Sequence, residues 1–122
     1  MEQVEAADLI ARIKQAFGSA RNVTPAPDQP LHVLMEEVVL PDAWSPNLTR
    51  ALVIWEGWPE ARPRFLIDEQ VRGESGEPPR SNDLVYVLGE SWRQFSFSFP
   101  WVGDDPVVAV QKWLERFSVE SS

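Results

Sequence analysis

The chain contains no cysteine. That single absence removes disulfides, a thiolate nucleophile and every cysteine-based metal site. Histidine is almost missing as well. His32 alone cannot assemble a metal cluster, and no Asp–His–Ser order surrounds it. Positive charge is scarce, with 11 Lys and Arg against 19 acids and a net charge of −8. A phosphate backbone would be repelled, which argues against nucleic acid as a partner. No apolar run reaches the roughly 18 residues of a membrane span, so no membrane partner is expected. The opening "MEQVEAADLI" carries acids where a signal peptide carries base, and the expectation is a cytoplasmic protein. There is no glycine-rich phosphate loop and no acidic calcium loop, so no cofactor or metal is expected. "GESG" at 73–76 lacks the spacing of a nucleophile elbow. Glu36 and Glu37 are the one adjacent carboxylate pair in a strand-like run. Neighbours on a strand face opposite ways, so they converge poorly for acid–base work. Taken together, the residues argue against an enzyme.

What is present suits one domain spanning residues 1–122. The chain is long enough for a real core, 43% of it is hydrophobic, and it carries six Trp and eleven Pro. In "EAADLIARIKQAFG", Ala6, Leu9, Ile10, Ile13, Ala16 and Phe17 recur at helical spacing, and Gly18 is a fitting stop. "SARNVTPAPDQP" reads as a connector. Strands are expected at 31–40, in "RALVIWE", in "RFLID", in "LVYVL" at 84–88 and from Trp92 to Trp101. Glu36 and Glu37 suggest a bulge or edge in the first of these. "PDAWSPNLT", "GWPEARP", "RGESGEPPRSND" and "GES" read as connections. In "DDPVVAVQKWLERF", Asp105 is a suitable N-cap and Pro106 suits the first helical position. Val107, Val110, Trp113, Leu114 and Phe117 form the apolar stripe, and 118–122 read as a polar tail. The fold class is therefore α+β: an antiparallel four- to five-stranded meander sheet flanked by an N-terminal and a C-terminal helix, with the helices on one face.

"FSFSFPW" places Phe95, Phe97, Phe99 and Trp101 on one face of a strand. Each ring, if buried, removes roughly 150–250 Å² from water. At about 25 cal/mol/Å² the four contribute on the order of 15–25 kcal/mol gross. The arithmetic favours a core over an open binding platform. Binding aromatics are then sought in loop-like contexts, at Trp44 and Trp58, with the loop from Arg72 to Asp83 as a further contact candidate. The competing reading is that these rings pin loops onto the core and that the long loop is a solvated connector.

Three features resemble the ubiquitin-conjugating enzymes. "ALVIWEGWPEARPRFLI" is similar to that family's strand, Tyr-Pro-x-x-Pro-Pro turn and second strand: Trp58 stands for the Tyr, Pro59 for its Pro and Pro63 for the last Pro. "LVYVLGESW" resembles the stretch that begins at the catalytic cysteine and reaches a Trp eight residues later. Counting back from Trp92 puts Leu84 at the cysteine's place, with Val85 and Leu88 at two apolar positions. The order of elements, ending in "WLERF", also agrees. The resemblance covers about residues 1–118 and is nearest to divergent bacterial members. The family's His-Pro-Asn triplet is missing. "PPRSND" stands there instead, and Asn82 is too close to Leu84 to serve as the oxyanion-stabilising Asn. A leucine methyl cannot attack a carbonyl. The resemblance thus implies an inactive relative, similar to conjugating-enzyme variants or RWD domains.

The implied function is a non-catalytic protein-binding adaptor in a bacterial ubiquitin-like conjugation pathway. Its partner would be a ubiquitin-like protein, an activating enzyme or a conjugating enzyme. A second reading, from charge and size, is an acidic immunity protein or inhibitor that neutralises a basic toxin. A third keeps the conjugating enzyme and supposes that its cysteine was replaced, with Ser81 the position to suspect. For all of them Trp44, Trp58, Pro59, Pro63, Arg80 and Asn82 are the protein-binding candidates.

Overall fold

The computed structural model describes residues 3–42, 44–55, 63–73, 76, 82–95 and 106–120. Helix α1 runs Gln3–Phe17 and turns Leu9 and Ile13 into the core, with Ile10 and Phe17 partly buried beside them. Ala16, expected in the same stripe, is exposed. Gly18 ends the helix at φ 92°, and its N–H donates to the Lys14 carbonyl at 2.8 Å. Only glycine adopts that left-handed cap without cost.

Six strands follow: β1 Arg21–Asn22, β2 Leu31–Val39, β3 Leu48–Trp55, β4 Arg64–Asp68, β5 Asn82–Val87 and β6 Glu90–Phe95. Helix α2, Pro106–Glu120, closes the chain. Pro106 is its first residue, as its missing N–H and fixed φ favour. The helix passes Phe117 and takes in most of the stretch expected as a polar tail.

The sheet is open and antiparallel throughout, in the order β1-β2-β3-β4-β6-β5. Two expectations are corrected here. The strand count is six, because Arg21–Asn22 pairs with Val33–Leu34 inside the supposed connector. The last two strands are not in meander order: β6 pairs with β4, and β5 lies outside it as the edge. The strand expected from Trp92 to Trp101 is described as Glu90–Phe95. Phe97, Phe99 and Trp101 lie outside the described residues.

The bulge suggested by Glu36 and Glu37 is present. Met35 pairs with Ala51 and Val38 with Thr49, so both glutamates lie opposite Arg50. Ser19 Oγ accepts from both of their backbone N–H groups, each at 3.0 Å, and Glu36 pairs with Arg21. The bulge keeps Val38 and Thr49 on the helix side and turns Val39 outward.

Both helices cover one face. There Val33, Met35, Ala51, Val53, Trp55, Phe65 and Ile67 meet Leu9, Ile13, Ala109, Val110 and Trp113. The Phe65 and Trp113 rings stack at 4.9 Å and 11°, tying α2 to β4. The other face carries Leu34, Leu52, Ile54, Leu66 and Trp92, with Val23, Val85 and Val87 packed against them.

Candidate functional site

Among the described residues, the helix-side core takes side chains from β2, β3 and β4, and none from β5 or β6. Cross-strand pairing shows what this leaves at the far end of the sheet. Val85 and Val87 lie opposite Trp92 and Glu90 and share the face away from the helices. Leu84 and Tyr86, opposite Arg93 and Ser91, point to the helix side. With no described core residue above them, Leu84 is 59% exposed and Tyr86 74%. A strand that is apolar on both faces is ordinarily buried on both. Here one face is packed and the other open.

The tip of the hairpin adds a third exposed apolar residue. Leu88 and Gly89 have φ of 55° and 77°, which makes the two-residue connection a type I′ turn. Glycine adopts this readily. A leucine in the left-handed region costs roughly 1–2 kcal/mol, and Asn or Asp is the usual residue there. Leu88 is nonetheless 39% exposed. Leu88, in the turn that follows Tyr86, thus holds a strained backbone conformation, of the kind that clusters at functional sites. Elsewhere among the described residues, the other large exposed apolar side chains are Val39 and Leu48, which pair with each other across β2 and β3.

The hairpin is clamped on the opposite face. Arg50 on β3 donates from Nε to Asp68 Oδ2 at 2.9 Å, and from its two terminal nitrogens to the Glu90 carboxylate oxygens at 2.9 Å each. Its guanidinium lies over the Trp92 ring, 4.4 Å from the centroid. Hydrogen bonding to Glu90 foremost raises the Arg50 pKa; burial, the next largest influence, lowers it, and the bond to Asp68 raises it again. The bond from Arg50 is the main cause holding the Glu90 carboxyl below its ordinary 4.5. Trp92 Nε1 donates to the Val87 carbonyl at 3.2 Å, and Arg64 places Nε and a terminal nitrogen on Gln94 Oε1 at 2.9 and 2.8 Å. Side chains of β3 and β4 thereby hold the β5–β6 hairpin against the rest of the sheet.

The candidates from sequence fall as follows. Trp44 is buried at 4% exposure within the helix-side core, and its ring pins the loop between β2 and β3. The same loop is tied to Arg72, whose N–H and C=O exchange hydrogen bonds with Ser45. The start of the supposed long loop is therefore anchored, and its end, Asp83, is already in β5. Pro63 is buried just ahead of β4. Asn82 is the first residue of β5, paired in the backbone with Phe95. Trp58, Pro59 and Arg80 lie outside the described residues. Leu84 lies within the edge strand, not at the end of the sheet. Tyr86 was overlooked in the sequence, although "LVYVL" carried the signal of two adjacent apolar faces. His32 is buried, and its Nδ1 sits 2.7 Å from the Pro30 carbonyl.

A concavity of about 540 Å³ lies between the helices and β2, lined by Phe17, Val39, Leu40, Pro41, Gln111, Leu114 and Glu115. Glu115 is the one charged side chain in that lining. Among the described residues no three metal-binding side chains come together, and no helix is long and apolar enough to cross a membrane.

No protein-family model, no curated protein and no solved structure matches this chain.

Proposed function

We propose that this chain is a non-catalytic protein-binding domain, the adaptor implied by its resemblance to ubiquitin-conjugating enzymes, and that it binds through the β5–β6 edge. The observation that carries this reading is the exposed apolar pair Leu84 and Tyr86 on a strand with no described neighbour outside it, followed by exposed Leu88 in the turn. An open edge offers backbone hydrogen bonds, and alternate side chains give selectivity. In this reading Leu84 is a contact residue at the position where the family keeps its sulfur. The candidate partners are a ubiquitin-like protein, an activating enzyme or a conjugating enzyme.

The acidic-inhibitor reading keeps one observation in its favour, the net charge of −8, which would steer a basic toxin. It uses the same edge with a different partner.

A photo-crosslinking residue at position 86, introduced into the full chain in its native cell, tests the proposal. The expected product is a covalent adduct with a ubiquitin-like, activating or conjugating protein, lost when Leu84→Lys is added. A small basic toxin in the adduct would replace the adaptor reading with the inhibitor reading. Adducts that persist unchanged in Leu84→Lys would overturn β5 as the contact.

A further inference from the structure

We infer that the β5 edge pairs with the β5 edge of a second copy of this chain, forming a two-fold dimer with one continuous twelve-stranded sheet. The inference rests on the proposal that β5 is the binding edge: in the purified chain a second copy occupies that edge, and a strand from another protein competes with it.

The turn geometry decides which peptide groups are available. Val87 and Glu90 close a two-residue type I′ hairpin and form a hydrogen-bonded pair. Pair types alternate along an antiparallel ladder. Asp83, Val85 and Val87 therefore spend their N–H and C=O groups on β6. Those of Asn82, Leu84 and Tyr86 point outward. The outward peptides and the exposed apolar side chains thus belong to the same residues, Leu84 and Tyr86.

Antiparallel addition of a second β5 must then match even-numbered residues with even-numbered residues. A two-fold axis perpendicular to the sheet at Val85 does so. Leu84 of each copy faces Tyr86 of the other, and the two pairs exchange four backbone hydrogen bonds. Because the axis keeps the helix side of both sheets together, the two leucines and two tyrosines form one cluster between the helix layers. Val85 meets its own copy on the opposite face. Asp83, the one charged residue between Asn82 and Leu88, faces Val87 of the other copy. The two Asp83 carboxylates are thereby kept about four residues apart along the strands. The strand lacks the devices that ordinarily block such pairing: it contains no Lys, no Pro and no bulge.

The contact is small. Six-residue strands and four principal side chains place it at the low end of specific interfaces, below about 1,200 Å². The expected dissociation constant is on the order of 10–100 µM. Two chains of net charge −8 repel, and salt screens that repulsion. The dimer therefore tightens as salt rises. Pairing with a basic partner would weaken instead.

Sedimentation velocity on the purified full chain, from low micromolar to near-millimolar concentration at low and high sodium chloride, tests this. The expected result is a reversible monomer–dimer equilibrium that shifts toward dimer with salt. The variants Leu84→Lys and Tyr86→Lys are expected to stay monomeric at every concentration. Both sites are exposed, so their thermal unfolding should match the parent, and the melting curves establish that they fold. A parent chain that is monomeric throughout would overturn the inference, as would a dimer indifferent to both substitutions. The adduct at position 86 separates the two claims. A monomer that still crosslinks to a different protein ends self-pairing and leaves the binding edge standing. A chain that is monomeric and whose adducts ignore Leu84→Lys ends both.

Discussion

Replacing Trp113 by alanine is expected to lower the unfolding free energy by about 4 kcal/mol, the usual range for deleting a fully buried Trp. Trp113 is 0% exposed and stacks on Phe65. Its loss removes the ring stack that joins α2 to β4 and leaves a cavity there. Against a domain stability of ~5–15 kcal/mol, this brings the protein close to the edge of folding. Urea titration followed by far-ultraviolet circular dichroism measures it. Trp113→Phe, which preserves a ring against Phe65, should lose distinctly less. A loss below about 1 kcal/mol in Trp113→Ala would mean that α2 does not cover the sheet as described.

Arg50→Ala has the second-largest expected effect, a loss of about 2 kcal/mol. Hydrogen bonds to charged groups are worth roughly 1.5–3 kcal/mol when buried, and the share made with half-exposed Glu90 must be discounted for screening. The cation–π contact with Trp92 adds about 0.5–1 kcal/mol. Arg50→Lys should recover little, because an ammonium cannot grip Asp68 and both Glu90 oxygens from one plane. The consequence for binding follows from the pairing. β6 meets β4 through Leu66–Gln94, Ile67–Arg93 and Asp68–Trp92 only. Without Arg50 the hairpin loosens, and the edge it presents loosens with it. The pH dependence has a definite sign. The Glu90 carboxyl is depressed in the folded state, so its bond to Arg50 contributes above the ordinary 4.5 and is lost as pH falls through the folded value. The stability gap between the parent and Arg50→Ala should be widest near neutral pH and shrink below 4.5. A gap that does not narrow in acid would remove Glu90 from the clamp.

The helices and five of the strands, β2 to β6, were legible because their apolar patterning is strong. Leu9 and Ile13 on one helix, and Val110 and Trp113 on the other, mark faces that need a sheet. The bulge was legible from Glu36 and Glu37, two charges inside an apolar run. The order of the sheet was not. Nothing local in "LVYVLGESW" states which arm of the hairpin lies inside, because both arms carry apolar residues. That choice is made by β4, whose short edge accepts Gln94, Arg93 and Trp92 and whose Asp68 shares Arg50 with Glu90. These are contacts between residues 18 and 40 positions apart. β1 was hidden because two residues carry no period. It forms where Ser19 and Arg21 satisfy the bulge in β2.

The candidate site was half visible. Leu84 drew attention by its spacing from Trp92, whereas its importance in the fold comes from exposure on an edge. Trp44 met the composition expected of a contact residue and is spent on packing. Tyr86 has a ring too, and unlike Trp44 it is exposed and lies on an edge strand. Its exposure reflects the lack of described core residues above β5, which no single-sequence pattern records.

The account turns on β5 being an unoccupied edge whose outward peptide groups belong to Leu84 and Tyr86. Amide hydrogen exchange by NMR, at a dilution where sedimentation finds only monomer, reads this residue by residue. The prediction is fast exchange at Leu84 and Tyr86 and slow exchange at their neighbours Val85 and Val87, with protection of the first two appearing as the protein is concentrated. Equal protection of all four amides in the dilute monomer would show that the chain already covers this edge itself, and would contradict the account.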